Sequence, residues 1–543
     1  MLAVVAAGAW ARLVHIYKFF VYPDSYYYLL LADNFRHYGR LYGRLGPRGM
    51  RFPPIGSAIF KPVFPTVVAL VDFATNNLGL SGRIVGVGAS VGSILLVYPL
   101  GARLFGSRST GLIAALLLAV SFNHIFWSGF IMGDSVSLFL LLVVLLAALR
   151  RDRPEYGNPL DFAAGFAFTL LLLSRATYVV VMPGLLWLMA VEYDWRKERW
   201  LTALSAGCAA FALIALSILP PVGQLMPVVS GAFPTLLGAL VIIAVSGTGF
   251  LIGKRLCFRL DTGLGRRIVD TAFLLLIAAP ILAQSAFYPG LHRFALNDPL
   301  LCALGVLGLV LVYYSPKRRL GIFFVLSSTL LPAVYWRAAA WEWRYLIQAL
   351  PFLILPGARA AEIVFAALVG HVSQRRTLAR VGALLGLAVI ALSFALTIRR
   401  ALTPATGEFT TESYPARVSR LARPALARYP KNTILITALP WGYYYHLRFS
   451  TWGFDEHQPE KILRYLPKNG PVLVISDLPL TLQSPRIVKS LEALRNVRKI
   501  ASFPMSPEFR WGRAGASRKH RVAIYELDYD GLAKAVRPTG ALP

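Results

Sequence analysis

The sequence predicts an all-α polytopic membrane protein of about 13 transmembrane helices, followed by an external α/β domain. Three observations lead there. The 543 residues are 56% hydrophobic and only 15% charged, with a mean hydropathy of +0.58, a composition foreign to soluble domains. Apolar stretches recur up to about residue 400, and about 20 apolar residues are what a helix needs to cross bilayer hydrocarbon, which cannot satisfy free backbone amides. Beyond that point the pattern changes: residues 401–543 hold 21 Lys and Arg against 11 Asp and Glu, with short β-rich runs.

Taken in order, the candidate spans are 2–18, 83–102, 110–127, 135–149, 160–174, 177–191, 201–219, 234–252, 269–287, 298–314, 320–335, 346–368 and 381–398. No small-residue cleavage site appears before Asp24, so the first span does not read as a cleaved signal peptide and is expected to be retained. Basic clusters set the orientation by the positive-inside rule. They are Arg103 with Arg108, Arg150 to Arg153, Arg196 to Arg199, Lys254 to Arg267, Lys317 to Arg319, and Arg375 to Arg380. With all of them cytoplasmic, the spans between them pair two by two. The N-terminus then lies inside, and Asp24, Asp134 and the C-terminal domain outside. The formal net charge of +30 is read as these anchors and not as a nucleic-acid footprint.

The apolar segment Ile59–Ala74 does not fit as a full span, because it would reverse every cluster. It is read as a juxtamembrane or re-entrant helix inside a long external loop, residues 21–82, and Pro62 and Pro65 suit an irregular helix. Arg12, His15 and Lys18, towards the outer end of the first span, break the charge rule; they either snorkel to the interface or face the protein interior. After residue 400, the runs 433–437, 472–475 and 522–525 read as strands, and 459–465 and 485–494 as helices. The expected division is therefore 1–400, a transmembrane catalytic domain, and 401–543, an extracytoplasmic α/β domain. Cys208, Cys257 and Cys302 have no paired spacing and are read as core residues. No internal repeat or low-complexity tract is visible.

A handful of residues have the chemistry for catalysis. Asp24, in Val21-Tyr22-Pro23-Asp24-Ser25-Tyr26-Tyr27-Tyr28, follows the first span. It is either a general base or acceptor-orienting carboxylate, or the cap of a helix over Ser25–Phe35. Asp134, in Gly133-Asp134-Ser135, allows the same two readings. Lys61, in Phe60-Lys61-Pro62-Val63-Phe64-Pro65, is a snorkelling anchor or a partner for a lipid phosphate. Arg175 and Arg344 sit at outer ends of spans, where guanidinium groups bind phosphate bidentately; Arg344 has the alternative of pairing with Glu342. Arg337 is a further candidate. Tyr26, Tyr27 and Tyr28 read as an interfacial aromatic belt, with Tyr27, Tyr28, Arg337, Glu342 and Tyr345 as candidate cavity residues. His37, His292, His446, His457 and His520 show no metal-ligand spacing.

Together these pieces resemble the polytopic glycosyltransferases of the GT-C fold, and within them the protein O-mannosyltransferases and the lipid A aminoarabinose transferases. In that family an acidic residue follows the first span, as Asp24 does. A Lys-Pro-Pro-Leu-Tyr-like motif opens the next helix, as a degenerate copy does at Lys61-Pro62-Val63-Phe64-Pro65. A second acid follows the third span, as Asp134 does, and an Arg-Tyr pair lies near a late span, as Arg344-Tyr345 does. Ser25 stands where many members have a second acid. The Trp-Trp-Asp-Tyr-Gly motif of oligosaccharyltransferases is absent, and Pro440-Trp441-Gly442-Tyr443 does not replace it, so transfer of preassembled oligosaccharide to asparagine is not expected.

An external site has no supply of cytoplasmic nucleotide sugars, so its donor should be carried on a lipid such as a polyprenyl phosphate. The expected activity is transfer of a single sugar from that donor to a protein, lipid or glycan acceptor on the outer face, with inversion. Asp24 and Asp134 are the expected catalytic carboxylates, and Lys61, Arg175 and Arg344 the donor-phosphate anchors. The sequence names no cofactor and leaves a divalent metal open. The rivals are a lipid or glycan transporter (a flippase) and a non-catalytic glycolipid-binding homologue. Transporters place ionisable residues near mid-bilayer and often show repeated halves; here the charges cluster at span ends.

Overall fold

The computed structural model describes residues 1–16, 23–41, 43–45, 51–52, 61–150, 158–193, 197–218, 289–334, 343–372, 395, 414–437, 440–453, 472–475, 497–505 and 520–527. The chain divides into two compact units. The first comprises Met1–Tyr17, Lys61–Val71 and Gly79–Thr403; the second comprises Lys18–Phe60, Asp72–Leu78 and Pro404–Pro543.

The first unit is helical in its described residues. Its helices are α1 (Leu2–Ile16), most of α3 (Val63–Thr75), α4 (Leu78–Phe105), α5 (Arg108–Val120), α6 (Phe122–Ser128), α7 (Asp134–Ala148), α8 (Pro159–Ser174), α9 (Met182–Glu192), α10 (Lys197–Ile218), α11 (Pro289–Asn297), α12 (Pro299–Tyr313), α13 (Arg318–Val334) and α14 (Leu350–Val372). The label α2 is kept for Pro23–Tyr38 of the second unit. Short 3-10 segments, Ala176–Val181 and Trp343–Ala349, lead into α9 and α14. Two described segments, Leu78–Phe105 and Leu346–Ala367, are long and apolar enough to cross a membrane. The expected spans 234–252, 269–287 and nearly all of 381–398 lie outside the described residues.

The span expected over 110–127 is two helices, α5 and α6, bent by 56°. Ser121 lies between them in an extended conformation, and its side chain accepts a hydrogen bond from the His124 amide. The break leaves orphan amides at the start of α6 and orphan carbonyls at the end of α5. Asp298 satisfies the amide side. Its carboxylate accepts from the backbone N–H of Phe122 (2.8 Å) and Asn123 (3.1 Å) and from the Ser121 hydroxyl (2.7 Å).

Arg12 satisfies the carbonyl side. It faces the protein interior, 0% exposed, which decides between the two readings of this residue. Its Nη1 donates to Gly8 O (2.7 Å) and Ala119 O (3.2 Å), its Nη2 to Leu118 O (3.2 Å) and His124 Nδ1 (2.8 Å), and its Nε to Ser90 Oγ (2.5 Å). An arginine cannot accept, so His124 Nδ1 is the lone-pair nitrogen. His124 is therefore neutral and donates from Nε2 to Ser90 Oγ at 3.2 Å. Helix-to-helix approaches are close elsewhere too: a Cβ on Gly165 of α8 would lie 1.8 Å from Ala203 O of α10.

The second unit is built on a five-stranded sheet of β3 (Ile434–Thr437), β4 (Ser450–Gly453), β5 (Val472–Ile475), β6 (Arg498–Met505) and β7 (His520–Leu527); β1 (Gly43–Arg44) and β2 (Arg51–Phe52) form a separate antiparallel pair. The strand order is β4-β3-β5-β7-β6. β3 is parallel to both β4 and β5, while β7 is antiparallel to β5 and β6. Two of the strands were not legible in the sequence, Ser450–Gly453 and Arg498–Met505. The helices expected at 459–465 and 485–494 lie outside the described residues. Helix α15 (Tyr414–Leu426) and helix α16 (Pro440–Leu447) contribute Val418, Ala422, Tyr443 and Leu447 to a core completed by Leu435, Leu473, Val522 and Ile524 of the sheet.

Candidate functional site

In the first unit, three of the sequence-selected residues, Asp134, Arg175 and Arg344, gather around the buried turn 129–133, which joins α6 to α7. Gly133 N-caps α7, and Asp134 is its first residue. The turn is pressed from several sides. A Cβ on Gly86 of α4 would meet Ser128 O at 2.9 Å, and one on Gly82 would meet the Ile131 side chain at 2.6 Å. On α3, Phe64 packs over Gly133, where an added Cβ would lie 3.4 Å from it. Lys61 precedes α3 by two residues, so the lysine motif opens the helix that covers this turn.

Asp134 is 1% exposed, and its Oδ1 accepts from Nη2 of Arg175, which is 3% exposed. Arg175 stands just past the end of α8, where its amide closes the helix onto Leu171 O at 2.8 Å. With its carboxamide oxygen turned toward the guanidinium, Gln348 accepts from Arg175 Nε (3.0 Å) and Nη1 (3.1 Å). Ser137 and Ser174 tie α7 to α8 through their hydroxyls at 2.6 Å. Arg344, also buried, directs Nη1 at the Met132 sulfur at 3.5 Å. Asp134 Oδ2 is buried and has no hydrogen-bond partner among the described residues.

The helix-cap reading of Asp134 therefore falls away: the cap is Gly133, with no side-chain cap bond, and the carboxylate is turned to Arg175. Neither Gln348 nor Met132 was legible as a site residue. A glutamine and a methionine inside apolar runs carry no spacing signal. Arg337 and Glu342 lie outside the described residues. Tyr345 follows Arg344 in the same 3-10 segment.

Asp24 belongs to the second unit, in the first turn of α2. It is the second residue of the helix, placed where a carboxylate meets the positive end of the helix dipole. Tyr26, Tyr27 and Tyr28 follow it and are buried rather than forming an exposed aromatic belt. Tyr26 Oη lies 2.7 Å from His446 Nε2, and the Tyr27 ring meets Trp441 edge-on with centroids 5.2 Å apart. Burial, with Tyr28 beside it, pushes the Tyr27 phenol well above its usual value. Tyr27 is thus neutral at physiological pH and unsuited to act as a base. Among the described residues no group of three or more His, Cys, Asp or Glu is placed to hold a metal ion.

Comparison with known proteins meets this geometry at the same place. Residues 61–221, from Lys61 through α7, Asp134 and Arg175, match the dolichyl-phosphate-mannose-protein mannosyltransferase family. The archaeal oligosaccharyltransferase AglB from Archaeoglobus fulgidus, solved with an inhibitory peptide and a dolichol-phosphate, superposes with a TM-score of 0.56 at 12% identity, over 95% of this chain and 74% of that one. ArnT from Cupriavidus metallidurans, bound to undecaprenyl phosphate, superposes with a TM-score of 0.55 at 12% identity, over 99% of both chains. The chain has the fold of the GT-C glycosyltransferases, and its residues 61–221 match a family of such enzymes. A membrane location agrees with these likenesses and with the two described helices long and apolar enough to cross a bilayer. No curated protein sequence matches the chain. In this GT-C chain the family match spans the lysine motif, the buried carboxylate and its arginine, while Arg344 and Gln348 come from beyond it.

Proposed function

We propose that this chain is a glycosyltransferase that moves a single sugar from a polyprenyl-phosphate-linked donor to an acceptor at the outer membrane face, with inversion. The observation that supports the reading is the pair of buried guanidinium groups at the turn 129–133. Arg175 is held by Asp134, and Arg344 lies against Met132, while the Lys61 motif opens the helix that covers the same turn. Guanidinium groups bind phosphate bidentately, and a phosphate monoester such as undecaprenyl phosphate carries between one and two negative charges near neutral pH. Two solved structures of the same fold hold a polyprenyl phosphate.

In the reaction, the acceptor hydroxyl or amine attacks the anomeric carbon as the bond from that carbon to the phosphate oxygen breaks. The electron pair leaves with the polyprenyl phosphate. Lys61 and Arg344 stabilise the charge developing on the departing oxygen. Arg175, oriented by Asp134 and Gln348, adds to that positive field. Asp24 takes the acceptor proton as general base. The Asp134 oxygen without a partner among the described residues is the group available to an acceptor hydroxyl. External helix α2 and the C-terminal segment face the aqueous side in this reading.

Two measurements test the proposal. Undecaprenyl phosphate added to purified protein should raise its melting temperature, and Arg344→Ala should remove most of that rise; no rise in the wild type would sink the phosphate site. In membranes containing the native lipid-linked donors, Asp24→Asn should lower sugar transfer by more than about 100-fold, the usual scale for loss of a general base. Undiminished transfer would remove Asp24 from the chemistry.

A further inference from the structure

We infer that the C-terminal domain acts as the positioning element for Asp24, with His446 as its principal positioning residue. The inference rests on the reading of Asp24 as the base. Residues 18–60, with Asp24, fall in the same compact unit as residues 404–543. The reason is visible in one contact, where an aromatic segment of α2, Ser25-Tyr26-Tyr27-Tyr28, lies against a second one, Trp441-Gly442-Tyr443-Tyr444-Tyr445-His446, on α16.

The two helices are fastened at the turn that carries Asp24. Two residues after the aspartate, Tyr26 Oη meets His446 Nε2 at 2.7 Å, and its ring stacks edge-on to His446 (5.1 Å) and against Tyr445 (5.3 Å). Gly442 lets the helices close: a Cβ there would fall 2.8 Å from Pro415 of α15 and 3.2 Å from the Tyr26 ring. Tyr27 packs edge-on to Trp441 at 5.2 Å. Further along α2, Asp33 pairs with Arg448 at 3.7 Å; Arg448 follows α16 in a left-handed conformation (φ 60°). Beyond α2, the Thr451 amide of β4 donates to Leu45 O at 2.8 Å. A carboxylate at the start of a helix moves with that helix, and the first turn of an isolated helix frays. Here the first turn is clamped by a folded domain. A general base loses efficiency steeply with small displacements, so the clamp bears on rate more than on donor binding.

The test compares His446→Phe, which keeps the ring and removes the hydrogen bond, with His446→Gln, whose side-chain amide can bond Tyr26 again. Transfer is measured in membranes with native donors, and binding of undecaprenyl phosphate by thermal shift. The expected result for His446→Phe is a kcat at least about tenfold lower, with donor KM and the phosphate shift unchanged, and kcat largely restored in His446→Gln. Amide hydrogen exchange over residues 24–30 should quicken in His446→Phe and recover in His446→Gln. Gly442→Val, which wedges the helices apart, should repeat the kcat loss; if it does not fold, the two His446 variants decide. Wild-type kcat in His446→Phe, or a loss that appears equally in donor KM, overturns the inference. An active Asp24→Asn would instead remove the reading beneath it, so the two failures are separable.

Discussion

Two buried arginines in the transmembrane unit invite comparison, because the protein treats them in opposite ways. Arg12 has five N–H groups and five acceptors: three carbonyl oxygens, a serine and a histidine, all uncharged. Its cluster is closed, and each donor serves the joint between α1, α4 and the α5–α6 break. Arg175 is held by a carboxylate and a glutamine, yet the carboxylate keeps one buried oxygen without a partner among the described residues, and a second buried arginine, Arg344, lies against the adjoining turn. A fully satisfied polar cluster stiffens a fold, whereas a buried oxygen without a partner calls for an explanation, a bound ligand among them. On the proposed function Arg12 is the structural arginine and Arg175 the functional one, a distinction that burial alone, 0% against 3%, does not make.

Breaking the open cluster should have the largest effect on stability. Arg175→Met leaves Asp134 as a buried carboxylate without its cation, an expected loss of about 3–5 kcal/mol. The double variant Arg175→Met with Asp134→Leu should recover part of it, because no lone charge remains. Denaturant or thermal unfolding of the single and double variants measures the coupling, and purely additive losses would show that the pair is not a unit.

Arg12→Met should cost somewhat less, about 3 kcal/mol, since it strands the Leu118 and Ala119 carbonyls and the His124 ring but leaves no net charge behind. Its more informative readout is ligand binding. Undecaprenyl phosphate at 100 times its Kd stabilises a protein by about 2.7 kcal/mol, and that increment should survive in Arg12→Met while vanishing in Arg344→Ala. Loss of the increment in both would erase the distinction between the two arginines. Ser90→Ala is the mildest change. It removes one acceptor shared by Arg12 and His124, for an expected loss of about 1 kcal/mol and no change in lipid binding.

How far the sequence could be read depended on the kind of signal. Helix positions were legible because apolar runs and their basic flanks are local patterns: the expected 83–102, 135–149 and 160–174 lie within or beside α4, α7 and α8. The break at Ser121 was not, because Ser121, Asn123 and His124 interrupt the apolar run without by themselves marking a bend. It depends on Arg12 and Asp298, which reach it from distant helices. Strands β3, β5 and β7 showed as β-branched apolar runs. Strand β4, with Ser450, Thr451 and Gly453, and β6, with its charges and Pro504, did not, because their pairing is set by neighbours in the sheet. At the candidate site, Asp134, Lys61, Arg175 and Arg344 stood out as charges in apolar surroundings, but their partners did not.

By itself the sequence determined a strongly apolar chain read as a multi-span membrane protein, with a change of composition near residue 400, and it named the few charged residues worth asking about. Burying charge in hydrocarbon is costly enough that each such residue is conspicuous. Tertiary structure decided what each charge does. It matched Arg12 to the carbonyls of a broken helix and Asp134 to Arg175, and it joined the helix of Asp24 to the C-terminal domain through Tyr26 and His446. Those outcomes rest on hydrogen-bond geometry between residues tens to hundreds of positions apart. Whether a buried polar group is satisfied, and by whom, is a property of the fold that no local pattern records.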